Sequence, residues 1–155
     1  MPDKPEDGDL VLYFDGLCEP KNPGGTMCGA FLLHRPDGVM SGVVHRPPDP
    51  RNTNNLAEYR ALYIGLIRVK NLGGCKQLII RGDSQLVIRQ LTGEYACNSE
   101  KLIPARASCL ELLREICTSW EAQWIPREQN TDVDAICRAE YFKQTGHVAQ
   151  DRSRK

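Results

Sequence analysis

The chain has 155 residues, with 20 Lys+Arg against 20 Asp+Glu and a formal net charge of +0. That length suits one domain with a single core, and a neutral balance neither draws a protein onto nucleic acid nor repels it. Hydrophobic residues make up 41% and charged residues 26%, a globular composition, and no apolar run approaches the ~18 residues of a membrane-spanning helix.

The first nine residues, MPDKPEDGD, are acidic and polar and offer no apolar core for a signal peptide. A cytoplasmic protein with no membrane partner is expected. Seven cysteines (18, 28, 75, 97, 109, 117, 137) are scattered without a C-x-x-C pair. They read as reduced, core-filling thiols and argue against a zinc ribbon or a disulfide frame.

Residues 1–9 and 147–155 read as flexible tails around a domain at 10–146. Leu10 to Phe14 is a short apolar strand that Asp15-Gly16 ends, followed by a turn-rich connection with Asn22-Pro23-Gly24-Gly25. Cys28 to Leu33 is a second strand. Arg35-Pro36-Asp37-Gly38 carries turn chemistry, and Val39 to His45 is a third strand. Short connections make these three an antiparallel meander. The prolines of Arg46-Pro47-Pro48-Asp49-Pro50 force a loop.

The period then changes. Leu56, Tyr59, Leu62, Tyr63, Leu66 and Ile67 form one apolar helix face, stopped at Leu72-Gly73-Gly74. Gln77 to Ile80 is a strand and Asp83 to Leu91 a helix. Ile103 to Cys117 is another helix, Trp120 to Ile125 a strand, and Val133 to Lys143 a closing helix ended by Gly146. The second half, β-α-α-β-α, asks for parallel strands with helices on the faces. The fold class is therefore α/β, with a five-stranded mixed sheet of three antiparallel strands followed by two parallel ones.

Four acids fall where strands end and helices begin, the places where open α/β sheets form their sites. Asp15 ends the first strand, Glu58 lies in the first turn of the first helix, Asp83 follows the fourth strand, and Asp134 is early in the last helix. Each also has a structural explanation. Asn55 to Glu58 has the form of a capping box with Asn55 as N-cap, Asp83 can cap its helix, and Asp134 suits the positive end of a helix dipole. Asp15 is harder to explain, because an acid on an apolar strand is costly without partners. Four clustered carboxylates repel one another, and divalent cations relieve that repulsion. Oxygen ligands without a His or Cys cluster suit Mg²⁺ or Mn²⁺.

Asp15-Gly16, Asn22-Pro23-Gly24-Gly25, Thr53-Asn54-Asn55-Leu56-Ala57-Glu58, Gly82-Asp83-Ser84-Gln85 and Asn130 with Asp134-Ala135 occur in this chain order. Together they resemble type 1 ribonuclease H, over residues 10 to about 143. The stretch from Gln85-Leu-Val-Ile-Arg-Gln-Leu to Trp124-Ile-Pro-Arg-Glu-Gln-Asn130 is most similar to the compact archaeal, bacterial and plant-like branch, which lacks a basic protrusion helix. The resemblance implies an endonuclease that hydrolyses the RNA strand of RNA–DNA hybrids and leaves 5′-phosphate and 3′-hydroxyl ends. It implies two ions, Mg²⁺ or alternatively Mn²⁺, held by Asp15, Glu58, Asp83 and Asp134.

Telling ribose from deoxyribose needs hydrogen bonds to a 2′-hydroxyl in a wide minor groove. The resemblance assigns that reading to Asn22, Asn54, Asn55 and Gln85, whose amides donate and accept together. It gives a DNA-strand phosphate to Thr53 and Arg51. Ordinary turn and cap chemistry is the competing explanation for Asn22 and Asn55. Between residues 60 and 89 six basic residues (60, 68, 70, 76, 81, 89) face one acid, Asp83, so exposed members are candidates to follow a phosphate backbone. Trp120 and Trp124 alternate in the fifth strand and so face the same side, either the sheet core, which is the expected place, or the wall of a groove.

Some family members carry a His on the loop before the last helix. This chain has Pro126-Arg127-Glu128-Gln129 in its place. His34 and His45 fall in the meander as structural residues, and His147 is the remaining imidazole that a tail would have to bring to the site. A monomer is expected, and double-stranded RNA is a second candidate substrate. Two competing readings are a non-catalytic hybrid- or RNA-binding module and an exonuclease or resolvase on the same fold. The complete acidic set opposes the first, and the amide run opposes the second.

Overall fold

The computed structural model describes residues 9–150. The expected tail residues 1–8 and 151–155 lie outside them. Strand β1 spans Asp9–Glu19, β2 Thr26–Arg35 and β3 Gly38–Arg46. Helix α1 (Asn54–Asn71) leads to β4 (Cys75–Gly82), α2 (Gln85–Thr92), α3 (Leu102–Ile116) and β5 (Cys117–Trp124). A short 3₁₀ turn at Arg127–Gln129 precedes α4 (Thr131–Thr145). Every expected element is present, with most ends shifted by one to five residues.

The five strands form one sheet in the order β3-β2-β1-β4-β5. β2 is antiparallel to both β1 and β3, whereas β4 is parallel to both β1 and β5. β1 is therefore central, and all its residues from Leu10 to Cys18 are buried. A strand covered on both faces reads as a continuous apolar run. β3, at the edge, alternates between exposed and half-buried positions, leaving Val39 and Val43 in solvent.

Alternation along β1 feeds two cores. Leu10, Leu12 and Phe14 pack with Phe31, Leu33, Leu78 and Ile80 beneath α1, α2 and α3. Val11, Tyr13 and Leu17 pack with Cys28, Val133, Cys137 and Tyr141 beneath α4. Helices thus cover both faces of the sheet. All seven cysteines are free, and Cys18, Cys28, Cys109 and Cys137 are buried. Burial pushes the Cys28 and Cys109 thiols up to about 12, as inert core residues require. Past α4 the chain turns back: Ala149 is buried, and the Gln150 N–H donates to Glu19 Oε1 at 2.6 Å. No described helix is long and apolar enough to cross a membrane.

Candidate active site

β1 and β4 are paired from Asp9 and Gln77 to Tyr13 and Arg81, and there the pairing stops. β1 continues with β2 as far as Glu19. The strands therefore fork at the point where the sheet changes from antiparallel to parallel neighbours, the switch point where open α/β sheets place their sites. Asp15 and Asp83 each lie two residues beyond the last pair. The strand does not end at Asp15 as expected. Asp15 pairs with Ala30 in mid-strand and is fully buried. Acid and glycine read as a stop because neither favours a strand, yet this pair marks where a helix crosses.

The crossing depends on Gly16. A Cβ there would stand 2.4 Å from both the Ala57 carbonyl carbon and the Glu58 nitrogen. Its cross-strand partner Gly29 would meet the Ala57 oxygen at 3.0 Å. The two glycines let α1 lie on the strand backbone, which sets Glu58 beside Asp15. Gly82 acts in the same way on β4, where a Cβ would stand 2.6 Å from the Phe14 ring. Asp15, Glu58 and Asp83 each offer a carboxylate oxygen, and these three atoms lie within 4.8 Å of one another. Asp15 and Glu58 are buried, and Asp83 is half-buried.

The helix caps differ from expectation, and neither Glu58 nor Asp83 is the capping residue. The α1 N-cap is Thr53 and not Asn55, since Thr53 Oγ1 accepts the Leu56 N–H at 3.1 Å. Ser84, not Asp83, caps α2, with its Oγ accepting the Val87 N–H at 3.2 Å. Trp124 is not in the core. It is 42% exposed, and its indole N–H donates to the Asp83 carbonyl at 3.1 Å. Trp120 packs against the core as expected.

Asp134 lies outside the trio, in the first turn of α4, with Arg138 Nη1 at 4.0 Å from its carboxylate. The start of α4 is tied to β1: buried Asn130 donates to the Phe14 carbonyl at 3.2 Å, beside Asp15. The Asp134 N–H donates in turn to the Asn130 carbonyl at 3.1 Å. His34 stacks edge-on with Tyr13, and His45 lies 3.2 Å from Glu140, both structural contacts as expected. His147 is exposed.

Of the amides, Asn22 and Asn54 are brought together. Asn22 Oδ1 accepts the Asn54 N–H at 3.1 Å, and Asn22 Nδ2 donates to Asn54 Oδ1 at 3.3 Å. Thr53 and Asn55 line a groove of about 560 Å³ with Leu86, Gln90 and Lys101. Gln85 is exposed on the first turn of α2. Arg51 is clamped by Asp49, with contacts of 3.0 and 2.9 Å. Those hydrogen bonds hold the Asp49 carboxyl well below the usual carboxylate range.

The organiser of this rim is Asn52, a residue that sequence reasoning does not single out. Fully buried, it donates to the Gly25 and Pro47 carbonyls at 2.9 Å and accepts from Arg46 Nε. Its own carbonyl takes the Gly24 N–H at 3.0 Å. An Asn in a turn-rich run looks like any turn residue, so its signal is too common to stand out.

The run of basic residues is not one track. Arg81 donates to Tyr13 and Gln123, Arg68 lies over the Phe31 ring, Lys70 pairs with Glu115, and Arg89 pairs with Glu94.

Comparison with known proteins matches this architecture. The family model "Reverse transcriptase-like" covers residues 13–140. The chain belongs to this family. It is 38% identical to ribonuclease HI of Halobacterium salinarum over 131 residues, which is 83% of this chain and 62% of that protein. It thus spans less than two thirds of that relative's length. The crystal structure of RNase H1 from Halobacterium salinarum superposes with a TM-score of 0.76 at 31% identity, covering 88% of this chain and 99% of that one. LC11-RNase H1, whose structure is a complex with RNA/DNA hybrid, superposes with a TM-score of 0.72 at 23% identity, covering 81% and 91%. That last likeness is one of fold.

Proposed function

We propose that the protein is a ribonuclease H, an endonuclease that hydrolyses the RNA strand of RNA–DNA hybrids with two divalent ions. The observation that carries this reading is the convergence of Asp15, Glu58 and Asp83 within 4.8 Å at the strand fork. Membership of the family and the likeness to an archaeal ribonuclease HI support it. Clustered, all-oxygen, like-charged donors without a His or Cys suit a hard cation such as Mg²⁺ or Mn²⁺. Asp134, one helical turn past the Asn130 tie, is the fourth ligand in this reading.

When bound, the ions supply charge stabilisation at the phosphate and lower the pKa of the attacking water. The chain's own part is positioning. Strand β1, the α1 crossing and the Trp124 contact at Asp83 hold the carboxylates at fixed separations before substrate arrives, so little reorganisation remains for the reaction. The water oxygen bonds to phosphorus and the bond to the 3′-oxygen breaks. The water gives up a proton to solvent as it bonds, and the departing oxygen takes one from solvent, leaving a 3′-hydroxyl and a 5′-phosphate.

Asn22, Asn54, Asn55 and Gln85 are proposed to read 2′-hydroxyls of the RNA strand. Thr53 and Arg51 are proposed to hold a phosphate of the DNA strand. The protein acts as a monomer in the cytoplasm, and double-stranded RNA is a secondary substrate.

The test is cleavage of an end-labelled RNA–DNA hybrid in Mg²⁺ and in Mn²⁺, beside a DNA duplex, double-stranded RNA and Asp83→Asn. Internal RNA cuts that need metal are expected. The variant should fall on the order of 10²-fold or more in rate. A hybrid that stays intact in both metals while still bound would replace the enzyme with a binding module.

A further inference from the structure

A second groove, of about 390 Å³, runs between α1 and α3. It is lined by Arg46, Arg51, Arg60 and Lys101 among Tyr63 and the Pro104–Ser108 side of α3, and by no acidic residue. Asp49 neutralises Arg51. Among the described residues, Arg46, Arg60 and Lys101 form no ion pair.

Arg46 is braced through its Nε by buried Asn52, while its Nη2 is buried without a hydrogen-bond partner. Burial and the neighbouring Arg46 and Arg51 charges pull the Arg60 pKa down. Three cations around one groove without an ion-pair partner are costly to assemble and gain most when an anion joins them. Lys101 stands at the start of α3, which has no side-chain cap, so the positive end of a 15-residue helix points the same way.

The groove also continues the substrate surface. Lys101 lines both it and the groove of Thr53 and Asn55, while Arg51 and Leu56 flank those residues in sequence. α2 and α3 are joined by residues 93–101 alone, so no basic helix is interposed there to carry a duplex.

We propose that Arg46, Arg60 and Lys101 form a second backbone seat, taking phosphodiesters of the hybrid beyond the phosphate assigned to Thr53 and Arg51. The inference rests on the proposed function, because the hybrid is its occupant. Arg46, held through its Nε by Asn52, adds positive charge fixed in place beside the groove. Arg60 and Lys101 supply charge from the two helices. Exposed Tyr63 walls the groove without specifying sequence.

Binding isolates this seat from catalysis. Fluorescence anisotropy in EDTA measures the affinity of the whole chain for a labelled 20-base-pair and a 6-base-pair hybrid across a salt series, for wild type and the double variant Arg60→Gln/Lys101→Gln. Arg46 is left intact because it braces the rim, and thermal melting verifies the fold. The double variant should bind the long hybrid about tenfold more weakly at low salt. Its log–log salt slope should be shallower by up to about 2, since each phosphate that a cation neutralises adds about 0.9 to the slope. The short hybrid should be unaffected.

Unchanged affinity and slope on the long hybrid, with normal cleavage by the wild type, would overturn the seat and leave the proposed function standing. A wild type that neither binds nor cleaves hybrid would overturn both. Inorganic tripolyphosphate serves as a competitor. If it bound tightly to wild type only, with hybrid affinity untouched in the variant, the groove would pass to a free polyphosphate and the seat would fall.

Discussion

At the acidic fork, side chains are placed by backbone: two strands part, a helix rests on a pair of glycines, and three carboxylates have nowhere else to be. At the amide rim, Asn22, Thr53, Asn54 and Asn55 sit at loops and the helix start they lead into, and one buried side chain, Asn52, ties those loops together. The contrast fits two tasks. Charges that repel need a frame they cannot push apart, whereas groups that read a duplex need only be held in register with one another. It also separates two kinds of damage, one to the frame and one to the tie.

The largest effect should come from Gly16→Ala. Its methyl would meet two backbone atoms of α1 at 2.4 Å, and backbone cannot swing aside as a side chain can. Overpacking of this kind costs about 3 kcal/mol, near the top of the usual range, and the helix should lift Glu58 away from Asp15. Urea denaturation and hybrid cleavage measure the two consequences. Wild-type stability together with wild-type cleavage would mean that α1 does not rest on the strand.

Asn52→Ala comes next. It strands the Gly25 and Pro47 carbonyls and the Arg46 Nε, and buried polar groups left unpaired cost about 1–3 kcal/mol each. Water reaching part of the rim should keep the total near ~3 kcal/mol. In kinetics KM for hybrid should rise more than kcat falls, because the fork stands on other elements. An equal change in both would show that the two regions are mechanically one.

The same contrast explains what can be read from sequence. Element order, sheet class and the three acids that converge at the fork are legible, because apolar periodicity and acids at strand–helix junctions are local signals. Asp15 reads as a strand end because Asp-Gly is locally a stop. Its burial in mid-strand depends on α1, some forty residues further along the chain. The true caps lie one or two residues from the expected ones, since Thr, Asn, Asp and Ser are all good N-caps and only the fold chooses among them. Strand parity points Trp124 to the core. It stands at the last residue of β5, where the sheet ends and an indole can reach the Asp83 carbonyl. Asn52 carries no local signal at all, because its partners come from separate loops.

Thr53→Ala sharpens the comparison at lower cost. Removing the N-cap should destabilise by about 1 kcal/mol. If Thr53 also holds a phosphate, hybrid affinity should fall by more than the stability change accounts for. Thr53→Ser restores the capping oxygen and should recover both. Affinity unchanged in Thr53→Ala would confine Thr53 to capping.

The smallest effect is a pH dependence beneath the fork. His34 lies against Tyr13, whose hydroxyl accepts from Arg81 at 2.9 Å just before Gly82-Asp83. Burial lowers the His34 pKa below its ordinary value of 6.5, and the Arg81 charge adds to that, against an opposing pull from Asp132. The folded state therefore resists protonation more than the unfolded chain does. Between the folded pKa and 6.5 the unfolded state binds more protons, so stability rises with pH in that window. The contribution is complete above about pH 6.5 and is lost as pH falls through the folded value. Urea titrations at about pH 7.5, 6.5 and 5.5, spanning the ordinary imidazole range, on wild type and His34→Gln isolate it, since the other groups cancel in the difference. Wild type should lose its advantage only on the acid side. Parallel profiles would mean that the imidazole is free to protonate and that the floor beneath Asp83 is looser than the Tyr13–Arg81 contact implies.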